Sequence, residues 1–313
     1  MKIKKPKFWD YKRPNFLSYF LLPLTFPLVL NNYFINSNRN NSKKEKIKTI
    51  CVGNIYVGGT AKTPLSIKLN NILKKLNFQT AVIKKFYKDQ ADEQKLLSNK
   101  TKLYCQKTRR EGLNKAINDK VEVAIFDDGL QDRSIKYDLS FVCFNSVKWI
   151  GNGLLIPAGP LREKIESLSN HDAVFLNGND EDNTATKFLI KKYNQNIKIF
   201  ETYYNPTDID KFNITKRYLI FSGIGNPDSF KKTLLKNKFN IIKELKFPDH
   251  YYYNQKDIDN IKSLAQDLDA TILTTEKDYV KLSDNNSKGI KFLEIELVIR
   301  LENELINFMK SKI

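Results

Sequence analysis

The chain has 313 residues, 41% hydrophobic and 28% charged, a balance that excludes a disordered or fibrous protein and allows two modest domains. Its 53 Lys and Arg outnumber 35 Asp and Glu for a formal charge of +18, so anionic partners are expected. Cys51, Cys105 and Cys143 have neither disulfide-framework nor metal-ligand spacing, which excludes a disulfide scaffold and points to buried thiols in a reducing compartment.

Residues 1–48 carry eleven Lys and Arg against Asp10 and Glu45, a net of +9 and half of the excess. Between the basic clusters, residues 16–30 (FLSYFLLPLTFPLVL) hold no charge. As a helix this stretch spans about 22 Å, short of the ~30 Å hydrocarbon core, and Pro23 and Pro27 interrupt it. It is expected to lie in the interface of an anionic membrane rather than to cross it. No small-residue cleavage site follows in NNYFINSNRNNSKK, so removal as a signal peptide is not expected. An Asn- and Lys-rich linker occupies the region near residues 36–48.

The segment IKTICV (residues 47–52) is a short apolar strand, and apolar residues recur at helical spacing over 65–76. Between them runs VGNIYVGGTAKTP (residues 52–64), the anatomy of a phosphate-binding loop. Val57, Gly58, Gly59, Thr60, Ala61, Lys62, Thr63 and Pro64 would hold the nucleotide. Backbone N–H groups cradle the phosphates, Lys62 reaches the β- and γ-phosphates, and the Thr63 hydroxyl meets Mg²⁺. Pro64 suits the first helical turn. The general pattern G-x-x-x-x-G-K-[ST] has glycine where this chain has Tyr56 and Ala61, and Ala61 is expected to need a negative φ or room for its Cβ. A glycine-rich turn between strand and helix is the alternative reading.

Further strands are predicted over 80–83, 121–126, 139–144, 173–176 and 197–202, with helices over 111–117 and 184–193. VEVAIFDD (residues 121–128) is a near-continuous apolar run, as in strands buried on both faces, and ends in Asp127 and Asp128. An aspartate there can hold Mg²⁺ opposite the loop threonine; the alternative is a plain polar turn. After a break at Asn205-Pro206-Thr207-Asp208, a second series follows: a strand and glycine turn over 217–227, a helix over 228–238, a strand over 241–245, a helix over 257–268 and a strand over 270–275. The alternation predicts an α/β protein, a P-loop NTPase-like doubly wound parallel sheet with a second, smaller α/β domain and an N-terminal membrane-associated helix. The expected divisions are 1–48, 49–204 and 205–313.

Taken in order, VGNIYVGGTAKTP, IFDDGLQ, GNGLLIPAGPLRE, FSGIGNPDSF, FPDHYYY and TTEKDYVKL closely resemble the tetraacyldisaccharide 4′-kinase family. The resemblance covers roughly residues 10–285 and implies transfer of the γ-phosphate of ATP to the 4′-hydroxyl of an acylated glucosamine disaccharide 1-phosphate, giving lipid IVA at the cytoplasmic face of the bacterial inner membrane. It implies ATP as co-substrate, Mg²⁺ as metal, catalytic roles for Asp92, His250, Lys62 and Asp128, and metal contacts from Thr63, Asp127 and Asp128. Lys85, Arg110, Gln131, Arg162 and Glu163 would meet the acceptor. Asp92, oriented or assisted by His250, would act as general base. The chain departs from the family's pattern at Ala61, at Asp132 where a histidine is usual, and at Lys84-Lys85-Phe86-Tyr87-Lys88 in place of an S-R-G-Y-G-R-like turn.

Other readings stand beside these. Asp92 is equally described as a solvated loop carboxylate, His250 as a packing or hydrogen-bonding residue ahead of a helix capped by Asn254, and Lys85 as a surface charge. Glu276, Lys277 and Asp278 either contact nucleotide or form a charged turn, and His171 is expected to be structural. A membrane-tethered P-loop NTPase without a lipid acceptor is the alternative function. Nucleic acid is not an expected partner, since the densest basic region flanks an apolar segment and no nucleic-acid-binding motif is present. A monomer is expected.

Overall fold

The computed structural model describes residues 5–37, 44–132, 134–178 and 182–313. The linker expected near 36–48 lies partly outside them. Helix α1 (Phe16–Leu21) opens on Asn15, whose side chain accepts from the Ser18 amide at 3.0 Å. A 3-10 turn carrying Pro23 follows, then α2 (Phe26–Ser37). The face turned inward is small and polar and the face turned outward is aromatic. Ser18 is 0% and Thr25 8% exposed, against 81% for Phe16 and 71% for Phe20. Leu28 and Val29 of α2 pack onto the main core.

Strand β1 (Lys48–Gly53) and helix α3 (Lys62–Lys75) flank the glycine-rich loop. The chain continues through β2 (Thr80–Lys85), α4 (Ala91–Lys100), β3 (Leu103–Gln106), α5 (Arg109–Asn118), β4 (Val123–Asp127), β5 (Leu139–Asn145), β6 (Ala173–Asn177), α6 (Thr184–Tyr193) and β7 (Lys198–Pro206). Then come β8 (Arg217–Ser222), α7 (Pro227–Lys236), β9 (Asn240–Lys246), α8 (Gln255–Asp267), β10 (Thr271–Thr275), α9 (Glu276–Tyr279), α10 (Asp284–Ser287), β11 (Ile290–Leu293), β12 (Ile295–Ile299) and α11 (Glu302–Lys310).

Contacts divide the chain into two compact units. One comprises Met1–Lys85, Thr101–Tyr203 and Ile299–Ile313, the other Phe86–Lys100 and Tyr204–Val298. Helix α4 therefore groups with the later strands although β2 and β3 flank it in sequence. In the first unit the strands run β7-β6-β5-β1-β4-β2-β3, with parallel pairing throughout. β1, β4 and β5 are almost wholly buried because helices cover both faces, which is why their sequences are unbroken apolar runs. The order reverses around β1: β2 lies beyond β4 on one side and β5 lies on the other. Such a switch opens a crevice at the carboxyl ends of the strands, and there the glycine-rich loop emerges. The second unit is a parallel sheet ordered β11-β10-β8-β9. Phe221, Tyr253, Ile258 and Ile261 fill one of its faces, and Phe230, Leu234 and Phe239 the other.

Candidate active site

Two polar clusters stand out, one in each unit. In the first, α3 begins at Lys62, three residues earlier than the apolar periodicity suggests, so Lys62 and Thr63 occupy its opening turn with the unpaired N–H groups of a helix start. Pro64 falls in the same turn, where its missing N–H costs nothing. Ala61 has φ 66° and ψ 23°, the left-handed region. Of the two expected routes the φ is not negative, so the loop must leave room for the Ala61 Cβ in a conformation for which glycine is the usual residue. Gly58 also has a positive φ, 145°. Asn54, fully buried, ties the loop together by donating to the Thr60 hydroxyl at 3.0 Å and the Tyr56 carbonyl at 2.5 Å. Val57 donates its N–H to the Pro160 carbonyl at 2.9 Å.

β4 lies beside β1 in the sheet and delivers the two aspartates to this loop. The Thr63 hydroxyl lies 3.3 Å and the Ser66 hydroxyl 3.0 Å from the Asp127 carboxylate. Lys62 Nζ is 3.6 Å from Asp128 Oδ1, and Arg162 reaches the same oxygen at 3.2 Å. Asp128 itself has φ 55°, which turns its side chain out of the strand direction. Gln131 donates to the Asn54 carbonyl at 3.1 Å and to Glu163 at 2.9 Å, and Arg162 lies 3.3 Å from the Gln131 side-chain oxygen. Contacts therefore link Lys62, Asp128, Arg162, Gln131 and Glu163, and the pair of Thr63 with Asp127 adjoins them along the chain. Arg110 is not part of it: its guanidinium pairs with Glu45 at 2.7 Å and bonds the Ser134 carbonyl. Lys85 ends β2 half-buried.

Three residues of this cluster escaped the sequence reading. Lys84, buried, places its ammonium 2.6 Å from Asp127 Oδ2. The neighbouring Arg109 bonds the Asp128 carbonyl and lies 3.2 Å from Asp132. Burial works against ionisation of Asp132, but hydrogen bonds from Ser134 and the Arg109 charge outweigh it and hold that carboxyl below its usual range. The third, Asn54, was visible only as a polar residue between two apolar ones. Lys84 had a findable signal: of two lysines closing a strand, alternation turns one toward the face of the neighbouring strand's last carboxylate.

In the second unit, Asp92 stands in the first turn of α4 with its side chain 3% exposed. His250, at φ 56° in the turn after β9, brings Nδ1 to 2.9 and 3.0 Å of the two Asp92 oxygens. Lys281 and Lys277 stand 3.5 and 3.7 Å from Asp92 Oδ2. Burial of the carboxyl works against its charge; the His250 hydrogen bond and the two ammonium groups more than offset that and hold its pKa down to about 2. Lys277 is likewise desolvated, yet Glu93, Asp249 and Asp92 keep it above the usual lysine range. Beneath this layer Asp278, fully buried, accepts from the Gly223 amide at 3.0 Å, the Tyr253 hydroxyl at 3.0 Å and the Thr275 hydroxyl at 2.7 Å, and pairs with Lys281 at 2.7 Å. The charged turn over 276–278 is thus a built scaffold, and Lys281 links its buried carboxylate to Asp92.

A glycine-rich loop leading from the first strand into a helix, with acidic residues closing the adjacent parallel strand, defines a P-loop protein of the α/β class. The profile of the LpxK family, tetraacyldisaccharide-1-P 4′-kinase, matches residues 17–313. A tetraacyldisaccharide 4′-kinase of Pelagibacter ubique is 50% identical over 98% of this chain and 97% of its own length, and one of Rickettsia felis is 34% identical over 100% and 99%. The crystal structure of LpxK from Aquifex aeolicus, described as in complex with ATP, superposes with a TM-score of 0.70 at 22% identity, covering 94% of this chain and 99% of that one. The chain belongs to the tetraacyldisaccharide-1-P 4′-kinase family.

Proposed function

We propose that this chain transfers the γ-phosphate of ATP to the 4′-hydroxyl of tetraacyldisaccharide 1-phosphate, giving lipid IVA. The observation that carries the reading is the convergence of Lys62, Thr63, Asp127 and Asp128 at one sheet edge in a chain 50% identical to a tetraacyldisaccharide 4′-kinase. Among the described residues no group of three or more His, Cys, Asp or Glu forms a metal cage. Two carboxylates and a hydroxyl are instead the oxygen donors suited to Mg²⁺ that arrives on nucleotide phosphates. Thr63, Asp127 and Asp128 are the residues that would hold it. When bound, Mg²⁺ neutralises charge building on the transferred phosphate.

The protein's own groups supply the rest. The α3 N-terminus and Lys62 bind the phosphates, and Arg162, Gln131 and Glu163 form a linked set fit to hold polar atoms of the acceptor. Asp92 and His250 act on the proton of the acceptor hydroxyl. His250 Nδ1 lies 2.9 and 3.0 Å from the two Asp92 oxygens, which ties the ring and the carboxylate into one pair. Asp92 is the general base for that hydroxyl, oriented or assisted by His250. Lys85 and Arg110 remain candidates for outer contacts to the acceptor's anionic groups.

The acceptor is a lipid, and the outward aromatic face of residues 16–26 fits docking at the anionic cytoplasmic face of the inner membrane. No helix among the described residues is long and apolar enough to cross a membrane. A peripheral, surface-lying attachment therefore suits the reading.

The test is transfer of labelled γ-phosphate from ATP-Mg²⁺ to tetraacyldisaccharide 1-phosphate in detergent micelles. Labelled lipid from the wild type is expected, with Lys62→Ala abolishing it and His250→Ala lowering kcat by about 10²–10⁴ at unchanged ATP affinity. ATP hydrolysis without any lipid product, unaffected by His250→Ala, would establish the tethered NTPase instead.

A further inference from the structure

No step of the kinase chemistry above uses Lys84, yet it sits at the centre of the phosphate-loop cluster. β2 and β4 are parallel, with Lys84 in register with Asp127, so the two side chains leave neighbouring strands on the same face. Lys84 is 1% exposed, and its ammonium lies 2.6 Å from the Asp127 oxygen that the Thr63 hydroxyl approaches to 3.3 Å. Ser66 occupies the other oxygen at 3.0 Å. A charge so close in a buried place interacts far more strongly than at the surface, and it engages the carboxylate oxygen that a divalent cation would otherwise use. Asp128 differs: its partners Lys62 and Arg162 are 15% and 30% exposed and can swing to an incoming phosphate.

We propose that Lys84 is a resident counter-ion of Asp127 and sets how far nucleotide binding depends on a divalent cation. This rests on the kinase reading. Asp127 enters binding already neutralised, so ATP phosphates meet less repulsion at the metal-free loop, and a divalent cation gains less from that carboxylate. Removing the ammonium moves two quantities in opposite directions: metal-free ATP binds more weakly, and the cation binds more tightly. A purely structural role for Lys84 would weaken both.

The experiment uses the full chain in detergent micelles. ATP binding is measured by calorimetry in EDTA, and Mn²⁺ binding to the ATP complex by the paramagnetic signal of free Mn²⁺. Lys84→Met is expected to weaken metal-free ATP at least tenfold and tighten Mn²⁺ at least tenfold. Lys84→Met/Asp127→Asn, in which the buried pair is neutral, is expected to return metal-free ATP affinity to within threefold of wild type. Changes below threefold in Lys84→Met, or a loss of both affinities in a protein with a native circular-dichroism spectrum, overturn the assignment. Should Lys84→Met not fold, Asp127→Asn decides: with Lys84 unopposed, metal-free ATP is expected to bind at least threefold more tightly. Metal-free ATP affinity there unchanged or weakened overturns the role of Lys84. Wild type that binds no ATP, with or without Mn²⁺, sinks the nucleotide reading and this role with it; ATP binding with silent variants sinks Lys84 alone.

Discussion

Ala61 adopts a backbone conformation that costs an L-residue about 1–2 kcal/mol, and replacing it tests whether the loop needs that strain. Ala61→Gly removes the Cβ conflict but adds freedom to the unfolded chain, so a gain of up to about 1 kcal/mol with ATP binding retained is the expectation. Ala61→Val, β-branched at the same φ, should lose at least about 1 kcal/mol; both are read from urea midpoints. Asp92 makes a pH prediction. Its folded pKa, about 2, lies below the unfolded value, so its contribution to stability is complete above about pH 5 and fades as pH falls through 4 toward 2. The stability gap between wild type and Asp92→Asn should therefore be about 2 kcal/mol wider at pH 6 than at pH 2 in denaturant titrations; a gap that does not change with pH would contradict the ion cluster. Asp92 stays ionised through the working range, so any acid limb of activity between pH 5 and 8 belongs to another group.

Among the elements, the N-terminal segment pairs an inward face of Ser18 and Thr25 with an outward face of Phe16, Tyr19, Phe20, Leu24 and Phe26. Burial of such side chains in lipid is worth about 1.5–3 kcal/mol each. Phe20→Glu/Leu24→Glu should thus cut sedimentation with anionic vesicles at least tenfold while leaving the melting temperature within about 2 °C, since both side chains already face outward; unchanged vesicle binding would remove the lipid-docking role. Which elements were legible follows from the same physics. β1, β4, β5 and β6 are buried on both faces and announced themselves as apolar runs, and α3 and α8 by their spacing. α4 did not, because Asp92, Leu96 and Leu97 are its buried residues and form no regular stripe. β3 is a half-exposed edge of four residues, and α11 buries little beyond Leu305 and Met309. The glycine-rich turn between β1 and α3 was readable from local spacing. The ion pair of Lys84 with Asp127 and the Lys281 link were not, since each depends on which strands or turns become neighbours.

For the molecule as a whole, the chain passes between its two units at residues 85/86, 100/101, 203/204 and 298/299. Turn residues cluster near 205 and suggest a division there, but nothing local in residues 86–100 states which sheet they join. Cooperative opening should follow the contacts rather than the chain order. Native-state hydrogen exchange in rising urea is expected to show α4 amides opening together with β8 and β10; α4 opening together with β2 and β3 instead would contradict that grouping.

The same interleaving dictates a timetable on the ribosome. Asp92 precedes His250 by 158 residues, which at about 5–20 residues per second is roughly 8–30 s of elongation during which the aspartate exists without the histidine that engages it. The first unit also waits, because its last stretch, Ile299–Ile313, follows the whole of the second unit in sequence. A polypeptide interrupted before Val298 therefore holds neither unit whole, however long its earlier strands have had to pair.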